Sequence, residues 1–157
     1  MQPSNTDRVT FREAYKEDLP RIIELLADDP LGSRRDDASL PLDDRYAVAF
    51  DALSRDPNQV MAVAEQDGDV IGCLQLSFIP GLTRKGAWRG QIEGVRIAAT
   101  HRGKGFGREF FAWAIGQCQA RDCALVQLST DLTRPGAKRF YESLGFEASH
   151  VGMKLIF

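Results

Sequence analysis

Between residues 95 and 108 the chain reads Val95-Arg96-Ile97-Ala98-Ala99-Thr100-His101-Arg102-Gly103-Lys104-Gly105-Phe106-Gly107-Arg108, a strand-like run that empties through three closely spaced glycines into a helical pattern. Glycine lets a backbone turn tightly and approach a ligand, and the free N–H groups at a helix start carry the positive end of its dipole. Together they suit an anionic group such as phosphate. Arg102, Lys104 and Arg108 add positive charge around it. The same residues also suit a glycine-softened helix start with a solvated basic face, so the loop alone leaves both readings open. Two nucleotide signatures fail here. A Walker A loop needs Ser or Thr after Gly-Lys, whereas Lys104 is followed by Gly105; a Rossmann fingerprint needs glycine where Arg108 stands.

Just upstream, strict alternation would put Gln91, Glu93, Val95 and Ile97 on one face, mixing a carboxylate with branched apolar residues. A bulge near Gly94 or Val95 resolves the conflict by shifting the alternation, and bulges leave backbone groups unpaired beside active sites. Glu93 is a candidate general base: an alkylammonium with a pKa of roughly 10.4 must lose a proton before its nitrogen can attack an acyl group. It also reads as a solvated strand glutamate. Tyr141 follows Ala137 by one helical turn, a spacing that by itself makes it an amphipathic core residue. His101 suits a cap or a solvated position better than catalysis, and His150 has no evident partner. Cys73, Cys118 and Cys123 cannot all pair, and no spaced Cys/His cluster resembles a zinc site. Reduced, structural thiols and no metal are expected.

These residues need a frame to hold them. A strand over 9–12 precedes a helix over 17–27, with Leu19, Ile22, Ile23 and Leu26 on one stripe. Residues 28–41 form a long loop rich in Asp, Ser, Pro and Gly, which is either a wall of an acceptor site or a plain surface loop. A second helix is expected over 42–54. Strands over 59–65 and 70–78 flank Asp67-Gly68, a type I′ hairpin signal, with Val70, Leu74, Leu76 and Phe78 on one face. A strand over 87–98, a helix over 105–120, a strand over 124–130 and a helix over 133–144 follow. One or two strands over 146–157 close the chain. Tyr46, Phe50, Phe78 and Trp88 suit either an acceptor pocket or ordinary packing.

At 157 residues and 17.4 kDa there is room for one domain, residues 1–157, with the first seven expected to be flexible. The order of elements describes an α/β mixed sheet flanked by helices. A composition of 43% hydrophobic and 27% charged residues excludes a disordered chain. Net charge −2 argues against a broad nucleic-acid footprint. No apolar run resembles a signal peptide or a membrane span, so a cytoplasmic location is expected.

Arg102-Gly103-Lys104-Gly105-Phe106-Gly107 matches the Arg/Gln-x-x-Gly-x-Gly/Ala signature of the GNAT acyltransferase superfamily, which the chain resembles. Ile92-Glu93-Gly94-Val95-Arg96-Ile97 is similar to that family's central strand, and Arg139-Phe140-Tyr141-Glu142-Ser143-Leu144-Gly145-Phe146 to its final helix and turn. The resemblance covers residues 90–146. It implies a single-domain GNAT-like sheet, mostly antiparallel, whose central strands, those of Val95 and Leu128, splay apart. It further implies acetyl-CoA as co-substrate, held by Val95, Arg96, Ile97, the loop from Arg102 through Gly103, Lys104, Gly105, Phe106 and Gly107 to Arg108, and Asp131. Glu93 would assist deprotonation of a primary amine, and Tyr141 would protonate the departing CoA thiolate. One departure stands out: many members carry Asn where this chain has Arg134. The implied activity is direct N-acetyl transfer to a small-molecule amine or a protein amino group, with a homodimer as the assembly considered. The alternatives are a non-catalytic acyl-CoA-binding regulatory module and an aminoacyl-tRNA-acetylating toxin.

Overall fold

The computed structural model describes residues 8–157, so the flexibility expected of residues 1–7 lies outside the described residues. Strands Thr10–Glu13 (β1), Gln59–Gln66 (β2), Asp69–Ile79 (β3), Arg89–Ile97 (β4) and Leu125–Gln127 (β5) form one sheet in chain order. β1 to β4 pair antiparallel, and β5 joins β4 in parallel. The helices are Leu19–Ala27 (α1), Asp44–Arg55 (α2), the single turn Thr83–Gly86 (α3), Phe106–Ala120 (α4) and Pro135–Ser143 (α5).

Each sheet face is covered because the strands present apolar side chains on both. Leu74, Leu76, Phe78 and Ile92 pack against Phe110, Phe111, Ala114 and Cys118 of α4. On the other face Val63, Cys73 and Ala98 meet Ile22 and Leu25 of α1, while Leu19, Ile23 and Phe50 join α1 to α2. Leu19, Ile22 and Ile23 of the predicted α1 stripe are buried, while Leu26 is half-buried and Leu25, outside that stripe, is buried in its place; Pro20 sits in the first turn, where its missing N–H costs nothing. Asp67 and Gly68 both take positive φ, 53° and 86°, the geometry of the predicted I′ turn. At Gly90 the backbone of β4 lies so close to Cys118 of α4 that any Cβ would collide with its sulfur.

Two expectations are corrected. Val70 leaves the predicted row of Leu74, Leu76 and Phe78, because the β2–β3 register shifts between Ala64 and Glu65 and makes Ile71 the extra residue. Ile71 joins the α4 side, while Val70 packs on the α1 side and its carbonyl accepts from Arg21 Nε at 3.1 Å. The strands expected over 146–157 are absent: residues 144–157 form no helix or strand. Phe146 packs against the α4 side, and beyond it the segment runs clear of its own sheet.

Candidate active site

β4 runs into a 3-10 turn at Ala99–His101 and then into α4, with Gly103 and Gly105 at φ 75° and 89°. Only glycine holds such angles without strain, and the space beside both is open. The backbone N–H groups of Gly103, Lys104, Gly105, Phe106, Gly107 and Arg108 have no hydrogen-bond partner among the described residues. Six consecutive free donors at the head of a 15-residue helix make a nest for a polyanion. Two of the three predicted cations are engaged elsewhere. Arg102 Nε donates to Ile97 O at 3.0 Å, and Arg108 reaches across to α5, donating to Ser143 Oγ at 2.9 Å. Lys104 is exposed. The nest is thus built from backbone rather than from the side-chain charges that first draw the eye.

β5 accompanies β4 only from Arg89 to Gln91. From Ile92 onward the β4 edge facing β5 has no strand partner, which is the expected splay. The expected bulge is also present: Arg96 pairs with Cys73 and Glu93 with Gln75, so Gly94 and Val95 together oppose Leu74, with Gly94 at φ 60°. Its effect is to separate the mixed row. Ile92, Val95 and Ile97 belong to the α4 side, whereas Gln91, Glu93 and Arg96 share the opposite face with Ala98.

On that face Glu93 is exposed and continues a polar row. Ser77 Oγ donates to Gln59 Oε1 at 2.7 Å, Gln75 Nε2 donates to the same oxygen at 3.2 Å, and Gln127 Nε2 donates to Gln91 Oε1 at 2.7 Å. Four strands thereby contribute one polar strip to a face that is apolar elsewhere. Sequence reasoning missed it, although Gln59, Gln75, Ser77 and Gln91 stand out as polar residues at alternating positions of otherwise apolar strands.

Tyr141 on α5 packs its ring among Phe111, Phe140 and Phe146, with centroids 5.5, 5.7 and 6.3 Å away. Its hydroxyl has no hydrogen-bond partner among the described residues and is not sealed from solvent. Burial pushes the phenol above its ordinary pKa of 10.0, against a smaller downward pull from the Arg134 and Arg96 guanidiniums. The hydroxyl therefore keeps its proton at neutral pH, as an acid must.

Those two arginines meet at Asp29, in the loop after α1. Arg96 Nε lies 3.2 Å and Arg134 Nη2 3.3 Å from the same oxygen, Oδ2, while Oδ1 accepts from Gly32 N–H. Desolvation raises the Asp29 carboxyl, but the Gly32 N–H, Arg96, Arg134 and Leu31 N–H outweigh it and hold the pKa below the ordinary 3.8. Arg96 and Asp29 are only 15% and 12% exposed, and Arg96 Nε is buried without a well-aligned acceptor. Nearby, Arg35 approaches Asp131 at 3.9 Å. Asp131 itself accepts from Thr133 N–H and hydroxyl at 2.9 and 2.6 Å, contacts that, with a smaller pull from Lys154, lower its pKa. The long loop at 28–41 is thus tied to the sheet and to the start of α5.

The remaining candidates fall away from this centre. Phe78 is buried beneath the Arg121 guanidinium at 3.9 Å, and Phe50 is buried between α1 and α2. Tyr46 on α2 turns its hydroxyl back to the preceding loop, donating to Asp36 at 3.1 Å, and Trp88 lies on the surface. His101 Nδ1 is 2.8 Å from Thr100 Oγ1, and His150 Nδ1 is 2.7 Å from Ser149 Oγ. Burial pushes the thiols of Cys73 and Cys118 up to about 12 and about 11, which keeps both protonated and unreactive.

Comparison with known proteins agrees with this fold. Residues 19–146 match the model of the acetyltransferase (GNAT) family. The aminoalkylphosphonate N-acetyltransferase of Salmonella typhimurium is 32% identical over 105 residues, which are 67% of this chain and 68% of that protein. The glucosamine 6-phosphate N-acetyltransferase of Trypanosoma brucei brucei is 33% identical over 56% of this chain and 58% of its own length. Among solved structures, one described as a transcriptional regulator from Bacillus halodurans superposes with a TM-score of 0.93 at 45% identity, covering 96% of this chain and all of that one.

Proposed function

The chain belongs to the acetyltransferase (GNAT) family, and from that membership we propose that it moves the acetyl group of acetyl-CoA directly onto a primary amine that also carries an anionic group. The co-substrate supplies the activated acetyl thioester. Its diphosphate fits the six free N–H groups from Gly103 to Arg108, and the unpaired edge of β4 around Val95 and Ile97 offers backbone N–H donors to the pantetheine amides. Glu93 takes the ammonium proton through water and frees the nitrogen lone pair. The Tyr141 hydroxyl gives its proton to the departing thiolate. Asp131, held by the Thr133 N–H and hydroxyl, would be among the residues that face the co-substrate. A cytoplasmic setting goes with this reading and with three free cysteines.

The observation that carries the acceptor class is the convergence of Arg96 and Arg134 on a single carboxylate beside an unpartnered tyrosine hydroxyl. Arg134 is 40% exposed beside this carboxylate, so its guanidinium keeps donors that an anionic group on the acceptor could take. Both relatives named above act on amines that carry a phosphorus oxyanion, which supports the reading. The position of Arg134, where many resembling proteins carry Asn, then becomes a selectivity element.

The test is a panel of paired amines, each phosphonate or phosphate compound beside its uncharged counterpart, with CoA-thiol release as readout. The anionic member of each pair is expected to have at least a roughly tenfold higher kcat/KM, the equivalent of one charge-assisted contact. Equal rates within pairs would remove the anionic requirement and keep the enzyme. A second reading, a CoA-binding regulatory module, draws on the Bacillus halodurans structure's description as a transcriptional regulator. Tight acetyl-CoA binding with no thiol release on any amine would favour that module instead.

A further inference from the structure

Glu93 stands in the middle of a row whose two sides differ. Toward the start of β4 the next side chain on its face is Gln91, opposite Ser77 of β3, and Gln75 lies opposite Glu93 itself. Toward the end of β4 the next is Arg96, which leads through Asp29 to the Arg134 guanidinium. The first side is made of neutral amides and a hydroxyl, the second of charged groups. Side chains two apart on a strand are roughly 7 Å apart, so both sides lie within reach of one small molecule centred on Glu93.

Ser77 is the one buried polar residue among the described residues. Its hydroxyl and Gln75 Nε2 converge on Gln59 Oε1, while Gln127 Nε2 donates to Gln91 Oε1. These bonds orient each half of the row, but among the described residues no side-chain hydrogen bond joins Gln75 or Ser77 to Gln91 or Glu93 across the β3–β4 ladder. Gln75 Oε1 and Gln127 Oε1 therefore remain as free acceptors and Gln91 Nε2 as a free donor, none of them sealed from solvent. Farther along the same strands this face is apolar, with Val63 and Cys73 buried under α1. Around Glu93 it is instead a pre-oriented polar floor with unspent hydrogen bonds.

A hydroxyl both donates and accepts, so a single one can meet Gln91 Nε2 and Gln75 Oε1 together. An alkyl group in the same place would strip water from these amides and return nothing. We infer that Gln75 and Gln91 form a hydroxyl subsite: the acceptor carries its amine on a carbon between two arms, an anionic arm directed to Arg134 and a hydroxylated arm lying on the two glutamines. This rests on the acetyl-transfer reading above and adds to it the second arm. The substrate class is thereby narrowed from an anionic amine to an amino alcohol or amino polyol bearing an anionic group.

Two pairs of acceptors, each differing by one hydroxyl, test this: serinol phosphate against alaninol phosphate, and alaninol against isopropylamine. In wild type the hydroxylated member of each pair is expected to have a kcat/KM about three- to tenfold higher, the worth of one neutral hydrogen bond. Gln91→Met and Gln75→Met, which keep the side-chain volume and remove the amide, should each bring that ratio toward one. Equal rates within the wild-type pairs would overturn the proposal, as would a ratio that both variants leave unchanged. Should the anionic requirement fail, the phosphates lose their advantage over the uncharged pair while the ratio within each pair still reads the hydroxyl. Should no amine be acetylated, the side-chain amide resonances of Gln91 in the CoA-bound protein decide: a shift with serinol phosphate and a smaller one with alaninol phosphate supports the subsite, and the same response to both ends it.

Discussion

The two ends of the candidate active site are made from different materials. The loop from Arg102 to Arg108 is backbone: six free N–H groups, two left-handed glycines and a helix behind them, all within seven consecutive residues. The opposite end is side chain: Asp29 from the loop after α1, Arg96 from β4 and Arg134 from the turn before α5, with Asp29 and Arg134 separated by 105 positions. A backbone nest recognises a group that is the same for every reaction, because N–H geometry does not vary with residue type. A side-chain cluster can be rebuilt by single substitutions, which suits the selectivity for a variable acceptor proposed above.

This contrast can be broken or sharpened by experiment. The largest effect is expected where the two ends meet. Tyr141→Phe should retain acetyl-CoA affinity by calorimetric titration yet lose about 10²- to 10⁴-fold in kcat. Because burial raises the Tyr141 pKa, loss of its proton should lower the rate only above pH 10.0, the ordinary phenol value. Glu93→Gln should slow the reaction most near neutral pH and recover partly in alkaline solution, where the amine, with a pKa of roughly 10.4, is neutral without help. Two variants with the same pH profile would count against the division of proton transfers.

Next in size, Gly105→Val should weaken acetyl-CoA binding while leaving the amine side untouched. A β-branched residue at φ 89° is strained by about 1–3 kcal/mol, and it disturbs the nest without meeting any neighbouring atom. Unchanged affinity in the folded variant would mean that the nest is not the cofactor site. On the acceptor side, Arg134→Gln should raise KM for the anionic amine about tenfold and leave its uncharged counterpart unaffected. Equal effects on both would point to a positional rather than a selective role.

The smallest effect is one of stability. Asp29→Asn should cost about 1.5–3 kcal/mol, since it leaves two guanidiniums without their charge partner. The folded carboxyl has a lowered pKa, so its contribution is complete above the ordinary 3.8 and is lost as pH falls through the folded value. Thermal unfolding of wild type and variant should therefore differ most at neutral pH and converge in strong acid.

How much of this was legible in the sequence follows the same division. The glycine loop, the bulge at Gly94–Val95 and the hairpin at Asp67–Gly68 depend on neighbours in the chain, so local pattern revealed them. The Asp29–Arg96–Arg134 cluster depends on tertiary proximity. Asp29 looked like one of several acidic residues in a loop, and nothing local distinguishes it from Asp28 or Asp36. Arg108 adds a contact that local pattern does not show: its place in the glycine motif suggests phosphate through its N–H, and its guanidinium also reaches α5, donating to Ser143 Oγ. The apolar alternation from Val151 to Phe157 suggested a strand that does not form: these side chains stay exposed, because pattern alone supplies no neighbouring strand to pair with.

The close approach of Gly90 to Cys118 has a consequence at some distance from where it occurs. α4 carries the nest of free N–H groups at its first turn and touches β4 through Cys118 near its last, so this contact, together with the packing of Phe110, Phe111 and Ala114, holds the angle of the helix on the sheet. A side chain at position 90 would lift that far end and tilt the nest away from the splayed strands. In related sequences, positions 90 and 118 should therefore change together, the first gaining bulk only where the second gives it up, and the partnership should be visible as covariation between two residues that never meet the reacting atoms.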